Sequence, residues 1–112
     1  MKKQFAVSLL GFIFVLLSAA SFHAATRTVD TIADNGALTA CTAAANDCSL
    51  RGAVSVSVTD DIINFSPALN YQTITLGSEI TITQGISING PGADLLRISG
   101  RDSYRHFYIN GG

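Results

Sequence analysis

The second half of the chain holds the residue types that sugar chemistry uses. Asp60-Asp61, Asp94 and Asp102 are accompanied by Arg97, Arg101 and Arg105. Clustered carboxylates can hold calcium or divide acid and base roles at a glycosidic bond, and an arginine can steady an acidic sugar. The spacing argues against such a site. Asp60-Asp61 precedes a short apolar strand and reads as a turn. Asp94 and Asp102 flank one short strand with Arg97 and Arg101 between them, so these charges are expected to be solvated or to pair with each other. No nucleophile–base pair stands out. His106 lies beside Phe107 and reads as an exposed strand residue, and Tyr104 and Tyr108 are weak candidates for a sugar-stacking face. No catalytic residue, metal ligand or cofactor site is assigned from the sequence.

The other chemistry-bearing pair is Cys41 and Cys48, seven residues apart in a chain with only two cysteines. In one continuous helix such a pair would lie about 10 Å apart along the axis. A disulfide needs Cα atoms within about 7 Å. Pairing therefore requires the backbone to reverse between them, and Asn46-Asp47 suits that turn. A redox or metal pair lacks support, because there is no CxxC spacing. The pair reads as a structural staple, with a free or intermolecular pairing as the alternative. A loop this short contributes about 2–3 kcal/mol in the chain-entropy model.

Oxidised cysteines imply export, and the start of the chain has the matching pattern. Lys2 and Lys3 are followed by an apolar run from Phe5 to Leu17 and by small residues up to Ala24. This is the three-part pattern of a secretory signal peptide, assigned to residues 1–24. A cut after Ala20, Ser21 or Ala24 is compatible with it, although Phe22 is awkward three residues before the last of these bonds. The alternative is an uncleaved membrane anchor, for which the apolar run is somewhat short. Cleavage removes both lysines, which leaves five arginines against eight acids and a net charge of about −3. That balance has no basic stripe for nucleic acid and no polybasic patch for a membrane surface.

About 88 residues remain to fold, near the lower end for an independent core. Apolar residues recur as short doublets with one residue between: Ile63-x-Phe65, Ile74-x-Leu76, Ile80-x-Ile82, Ile86-x-Ile88, Leu96-x-Ile98 and Phe107-x-Ile109. Turn residues such as Ser66-Pro67, Gly77-Ser78 and Asn89-Gly90-Pro91-Gly92 separate them. Each doublet is a very short period-2 strand. Ile86-Ser87-Ile88-Asn89-Gly90 matches Phe107-Tyr108-Ile109-Asn110-Gly111 at a shift of 21, and Ile74-x-Leu76 matches Leu96-x-Ile98 at a shift of 22. A period in the low twenties with several strands per period predicts a solenoid. The leucine and asparagine pattern of leucine-rich repeats is missing. The expected fold is all-β, a right-handed parallel β-helix with an N-terminal cap over 25–61, about three coils over 62–112, and a short capping helix at most. Asn89 and Asn110 are expected at the same corner of successive coils, as a short asparagine ladder or as simple turn formers.

The first coil of a solenoid exposes its core and its strand edge, so it needs an atypical cap. Cys48-Ser49-Leu50-Arg51-Gly52-Ala53-Val54 fits that role. Ser49 is a good helix N-cap, and Leu50, Ala53 and Val54 form one apolar stripe. This stretch resembles the cysteine-serine-leucine-arginine-glutamate-alanine motif of the CSLREA domain, found at the start of exported bacterial right-handed parallel β-helix proteins. Thr28 to Asp34, Asp61 to Phe65, Ile74 to Leu76 and Ile86 to Gly92 resemble further pieces of that region in order. The resemblance implies a cap motif of Ser49, Leu50, Arg51 and Ala53 beside the Cys41–Cys48 pair, and a secreted or cell-surface structural role, adhesive in character. The chain departs from the motif at Gly52, where the motif has glutamate. Gly52 cannot return the capping-box hydrogen bond and costs about 1 kcal/mol relative to alanine inside a helix. The alternating Val54 to Thr59 that follows favours extended chain. The helix is therefore expected to be short and to pass into extended chain by Val56.

The chain stops at Asn110-Gly111-Gly112, a coil corner, and reads as the leading fragment of a longer protein or as one that self-associates through an open last coil. The functional expectation is a non-catalytic cap and first coils of an exported protein, extracellular, on the cell surface or periplasmic. Expected partners are an extracellular polysaccharide or a cell-surface component, with no nucleic acid and no cofactor, and with membrane contact only through an uncleaved signal. The alternative is the leading fragment of an extracellular polysaccharide lyase or hydrolase.

Overall fold

The computed structural model describes residues 24–111. The expected signal segment lies outside the described residues except for Ala24. The described chain is mostly short strands with little helix. In order it runs β1 (Thr26–Val29), α1 (Leu50–Val56), β2 (Ile62–Phe65), β3 (Gln72–Thr75), β4 (Ile80–Ile82), β5 (Ser87–Ile88), β6 (Leu96–Ser99) and β7 (Phe107–Ile109). A 3₁₀ turn at Pro67–Leu69, capped by the Ser66 hydroxyl, lies between β2 and β3.

Strands this short are unstable alone and persist only by pairing. All the strand pairs are parallel. One sheet has the order β1-β2-β5, a second joins β3 to β6, and a third joins β4 to β7. Parallel neighbours cannot be joined by a hairpin. The chain accordingly passes through β3 and β4 between β2 and β5 before it returns to the first sheet. Successive side chains point to opposite faces. Ile63, Ile74, Leu76 and Ile80 are buried, whereas the intervening Thr73, Thr75 and Thr81 are exposed. Val29, Cys48, Leu50, Ala53 and Leu69 complete the buried cluster. Phe65, Ile88, Leu96, Ile98 and Phe107 pack against it and stay partly exposed.

The observed register corrects the repeat period. Gln72 pairs with Leu96 and Ile74 with Ile98, a shift of 24. Ile63 pairs with Ile88, a shift of 25, and Ile80 with Phe107, a shift of 27. The spacing read from the sequence is too short: Ile74-x-Leu76 is displaced by one apolar position against Leu96-x-Ile98, and Phe107-x-Ile109 pairs with Ile80-x-Ile82 rather than with Ile86-x-Ile88. A displacement of two residues keeps every apolar side chain on the same face, so the pattern alone does not exclude it.

The expected pairing of Asn89 with Asn110 is also corrected. Asn89 follows β5 and Asn110 follows β7, and these strands belong to different sheets. Asn89 instead donates its side-chain amide to Asn64 Oδ1 at 3.2 Å. Asn64 pairs in register with Thr28, so the polar column on this outer face is Thr28, Asn64, Asn89. Asn110 donates its backbone N–H to the Ile82 carbonyl at 2.9 Å.

Candidate functional site

A dense set of polar contacts among the described residues is built where the segment between β1 and β2 packs on β1, β4 and the β3–β4 turn. It starts from the staple. Cys41 and Cys48 form a disulfide with Cα atoms 4.4 Å apart. The reversal between them uses Asn46 at φ +61°, the expected turn position, with Cys41 itself at φ +52°. The Cys41 N–H donates to the Asp47 carbonyl, and Thr39 and Cys48 form an antiparallel bridge. The Thr42 hydroxyl donates to the Asp47 carboxylate. Asp30 fixes this hairpin to the end of β1. Its carboxylate accepts the Cys48 N–H at 2.9 Å, and its own N–H donates to the Cys48 carbonyl at 3.0 Å.

The helix begins at the next residue. Ser49 Oγ accepts the Gly52 N–H at 2.9 Å and donates to the Asn35 carbonyl at 2.6 Å. Leu50 and Ala53 are buried, Leu50 being 1 % exposed. The helix ends at Val56, as the alternating valines predict, and Ser57 is extended at φ −74°, ψ 145°. The Ser55 hydroxyl donates to the Gly52 carbonyl and that of Ser57 to the Ala53 carbonyl, so side chains occupy the acceptors of the last turn. Gly52, the departure from the resembled motif, has a steric role. A Cβ placed there would lie 2.0 Å from the Leu38 carbonyl oxygen. That carbonyl also accepts the Ser49 N–H at 3.1 Å, so the loop backbone lies directly on the first helical turn.

Arg51 ties the helix to the strands. Its guanidinium meets Asp34 at two points, Nε to Oδ1 at 2.7 Å and Nη2 to Oδ2 at 3.0 Å. The same group donates to the carbonyls of Ser78 at 2.8 Å and Glu79 at 3.1 Å. Asp34 also accepts the Gly77 N–H at 2.8 Å. The loop after β1, the helix and the β3–β4 turn thus share one charged centre. The hydrogen bonds from Arg51 hold the Asp34 carboxyl below the usual carboxylate range; they outweigh the opposing effect of burial, and the Gly77 N–H and the arginine's charge add to them.

Asp61 is the second charged anchor and is fully buried. It accepts the Ala25 N–H at 2.8 Å, the Val58 N–H at 3.0 Å and Arg27 Nη2 at 3.0 Å. The two backbone donors, Ala25 foremost, and the charge of Arg27 hold it in the ionised form. Arg27 also donates to the Val56 carbonyl at the end of the helix. The reading of Asp60-Asp61 as one turn holds only for Asp60, which is exposed at φ +75°.

The remaining sequence candidates are dispersed. Asp94, Arg97, Arg101, Asp102 and His106 are exposed. Arg105 pairs with Glu79 and lies over the Tyr108 ring at 4.7 Å from its centroid. Among the described residues, the ion pairs are Arg27–Asp61, Arg51–Asp34 and Arg105–Glu79, so Asp94 and Asp102 are solvated rather than paired with their neighbouring arginines. No group of three or more His, Cys, Asp or Glu among the described residues is placed to hold a metal ion. The arrangement performs mechanical work: a hairpin, a helix and two carboxylates fasten residues 25–61 onto the strands. No family model matches the chain, and no curated protein or solved structure matches it either.

Proposed function

We propose that this chain is the N-terminal cap and first coils of an exported right-handed parallel β-helix protein of the kind the CSLREA domain opens, with a structural, adhesin-like role at the cell surface or outside the cell. The single observation that carries the proposal is the Arg51 centre. The arginine of the resembled motif makes four hydrogen bonds that join loop, helix and strand turn, the work a terminal cap has to do. Three of the four parallel strand pairings, those from β2 onward, support the coil reading, since each joins segments 24 to 27 residues apart. The disulfide supports an oxidising compartment.

The rival reading, the leading fragment of a polysaccharide lyase or hydrolase, draws on Asp60, Asp61, Asp94 and Asp102 and is weaker. Asp60, Asp94 and Asp102 are exposed and dispersed, and Asp61 is engaged in holding the backbone of Ala25 and Val58. A carboxylate whose lone pairs are filled by structural donors is poorly suited to move protons.

Expression of the full chain in a bacterial host with an intact secretion system tests the proposal. The expected product is found outside the cytoplasm, is shortened by about two dozen residues and contains no free thiol. Full-length, reduced protein in the cytoplasm would contradict it.

A further inference from the structure

The turn that enters β3, at the edge of the β3–β6 sheet, carries a tyrosine whose ring the core does not use. Tyr71 stands just before β3 at φ +67°. That left-handed region is disfavoured for a bulky side chain and is normally filled by glycine or asparagine. The strain would be understandable if the ring packed into the core, but Tyr71 is 82 % exposed. Its backbone N–H donates to the Leu95 carbonyl, which fixes the position from which the ring projects. Strain held in place without a packing gain is found at ligand-binding sites.

The surroundings of Tyr71 indicate the ligand chemistry. It borders an open groove of about 310 Å³, lined also by Thr73, Asp94, Leu95 and Arg97. That volume is at the small end for a ligand site. Thr73 and Arg97 pair in register on adjacent strands. Arg97 and Asp94 take part in none of the ion pairs among the described residues. The groove thus offers an exposed aromatic face, a hydroxyl, one guanidinium and one carboxylate. A pyranose ring suits this set: its C–H face stacks on an aromatic ring, and its adjacent hydroxyls both donate and accept. A nucleic acid would need an excess of positive charge, and a single carboxylate is too few for a calcium ion.

We propose that Tyr71, Thr73, Asp94 and Arg97 form a carbohydrate subsite for a hexopyranose unit of an extracellular glycan, with Tyr71 as the stacking platform. The proposal rests on the surface-displayed, non-catalytic reading given above and supplies its partner.

The test applies the secreted full chain to a glycan array of neutral and uronic-acid hexopyranose oligosaccharides. Titration of the best binder follows, with Tyr71→Ala, Tyr71→Asn and Arg97→Ala compared with the parent. Tyr71→Asn is the decisive variant, because asparagine tolerates the left-handed backbone while removing the ring. The expected result is binding to at least one oligosaccharide, weakened tenfold or more by both Tyr71 substitutions, with the Tyr71→Asn protein melting no lower than the parent. Absence of binding to every hexopyranose tested, or unchanged affinity in Tyr71→Asn, would overturn the subsite. Chromatography of the glycan after incubation separates the two claims. Tyr71-dependent binding accompanied by shortened products would uphold the subsite and overturn the non-catalytic reading.

Discussion

Arg51 and Asp34 meet through two parallel hydrogen bonds of 2.7 and 3.0 Å, and the arginine reaches two further carbonyls beyond the carboxylate. The planar fork of a guanidinium can serve all four acceptors at once, whereas an ammonium cannot. Arg51→Ala is expected to lower unfolding stability by about 1–2 kcal/mol, because it leaves a half-buried carboxylate and two turn carbonyls without their charged donor. Arg51→Lys should recover less than half of that loss. Urea titration followed by circular dichroism measures both, and full rescue by lysine would show that charge alone matters here.

Gly52 gives a prediction opposite to helix propensity. At an ordinary helical site, replacing glycine by alanine stabilises by about 1 kcal/mol. Here the new methyl would meet the Leu38 carbonyl at 2.0 Å. Gly52→Ala is therefore expected to destabilise by about 1–3 kcal/mol, the usual cost of overpacking. A rise in melting temperature would show that the loop backbone does not lie against the helix as described.

Acid should loosen the hold of residues 25–61 on the strands. Asp34 and Asp61 both titrate below the ordinary aspartate value of 3.8 in the folded protein. Groups with lowered folded values contribute stability that is fully present above the unfolded value and is lost as pH falls through the folded one. Stability should therefore be level near neutral pH and fall steeply below about pH 4. In Asp34→Asn, measured from pH 2 to 7 by urea unfolding, the overall stability should be lower and the acid limb shallower. An acid limb as steep as the parent's would place the titration elsewhere.

Reduction of Cys41–Cys48 closes off a small, separable contribution. Cys41→Ser/Cys48→Ser is expected to lower stability by about 2–3 kcal/mol through the freed unfolded chain. The parallel strands should survive, because the Asp30 carboxylate still holds the Cys48 backbone. Amide exchange at Ile63 and Ile74 should remain slow in the variant. Loss of that protection would make the disulfide a condition for folding.

Much of the strand pattern is legible because it is local. A buried isoleucine flanked by threonines, as at Thr73-Ile74-Thr75, announces its face without knowledge of its partner. The short helix at Leu50–Val56 is legible for the same reason, from the Ser49 cap to the valines that end it. Strand partners are not local. Ile74 stands against Ile98, but the apolar position two residues earlier fits the alternation equally well. Asp61 was hidden from the sequence because its neighbours in space, Ala25 and Arg27, lie more than thirty residues away. Only the β1–β2 pairing brings them together. Arg51 is visible as a motif residue, yet its acceptors at Asp34, Ser78 and Glu79 depend on the placement of two loops.

The central claim is that the strands from β2 onward pair in parallel with segments about two dozen residues away. Inter-strand nuclear Overhauser contacts in the isotopically labelled, oxidised protein test it most directly. The account predicts backbone contacts in parallel register that place Ile63 beside Ile88, Ile74 beside Ile98 and Ile82 beside Ile109. Antiparallel contacts between consecutive strands, such as β3 with β4, or a register that places Ile74 beside Leu96, would contradict it.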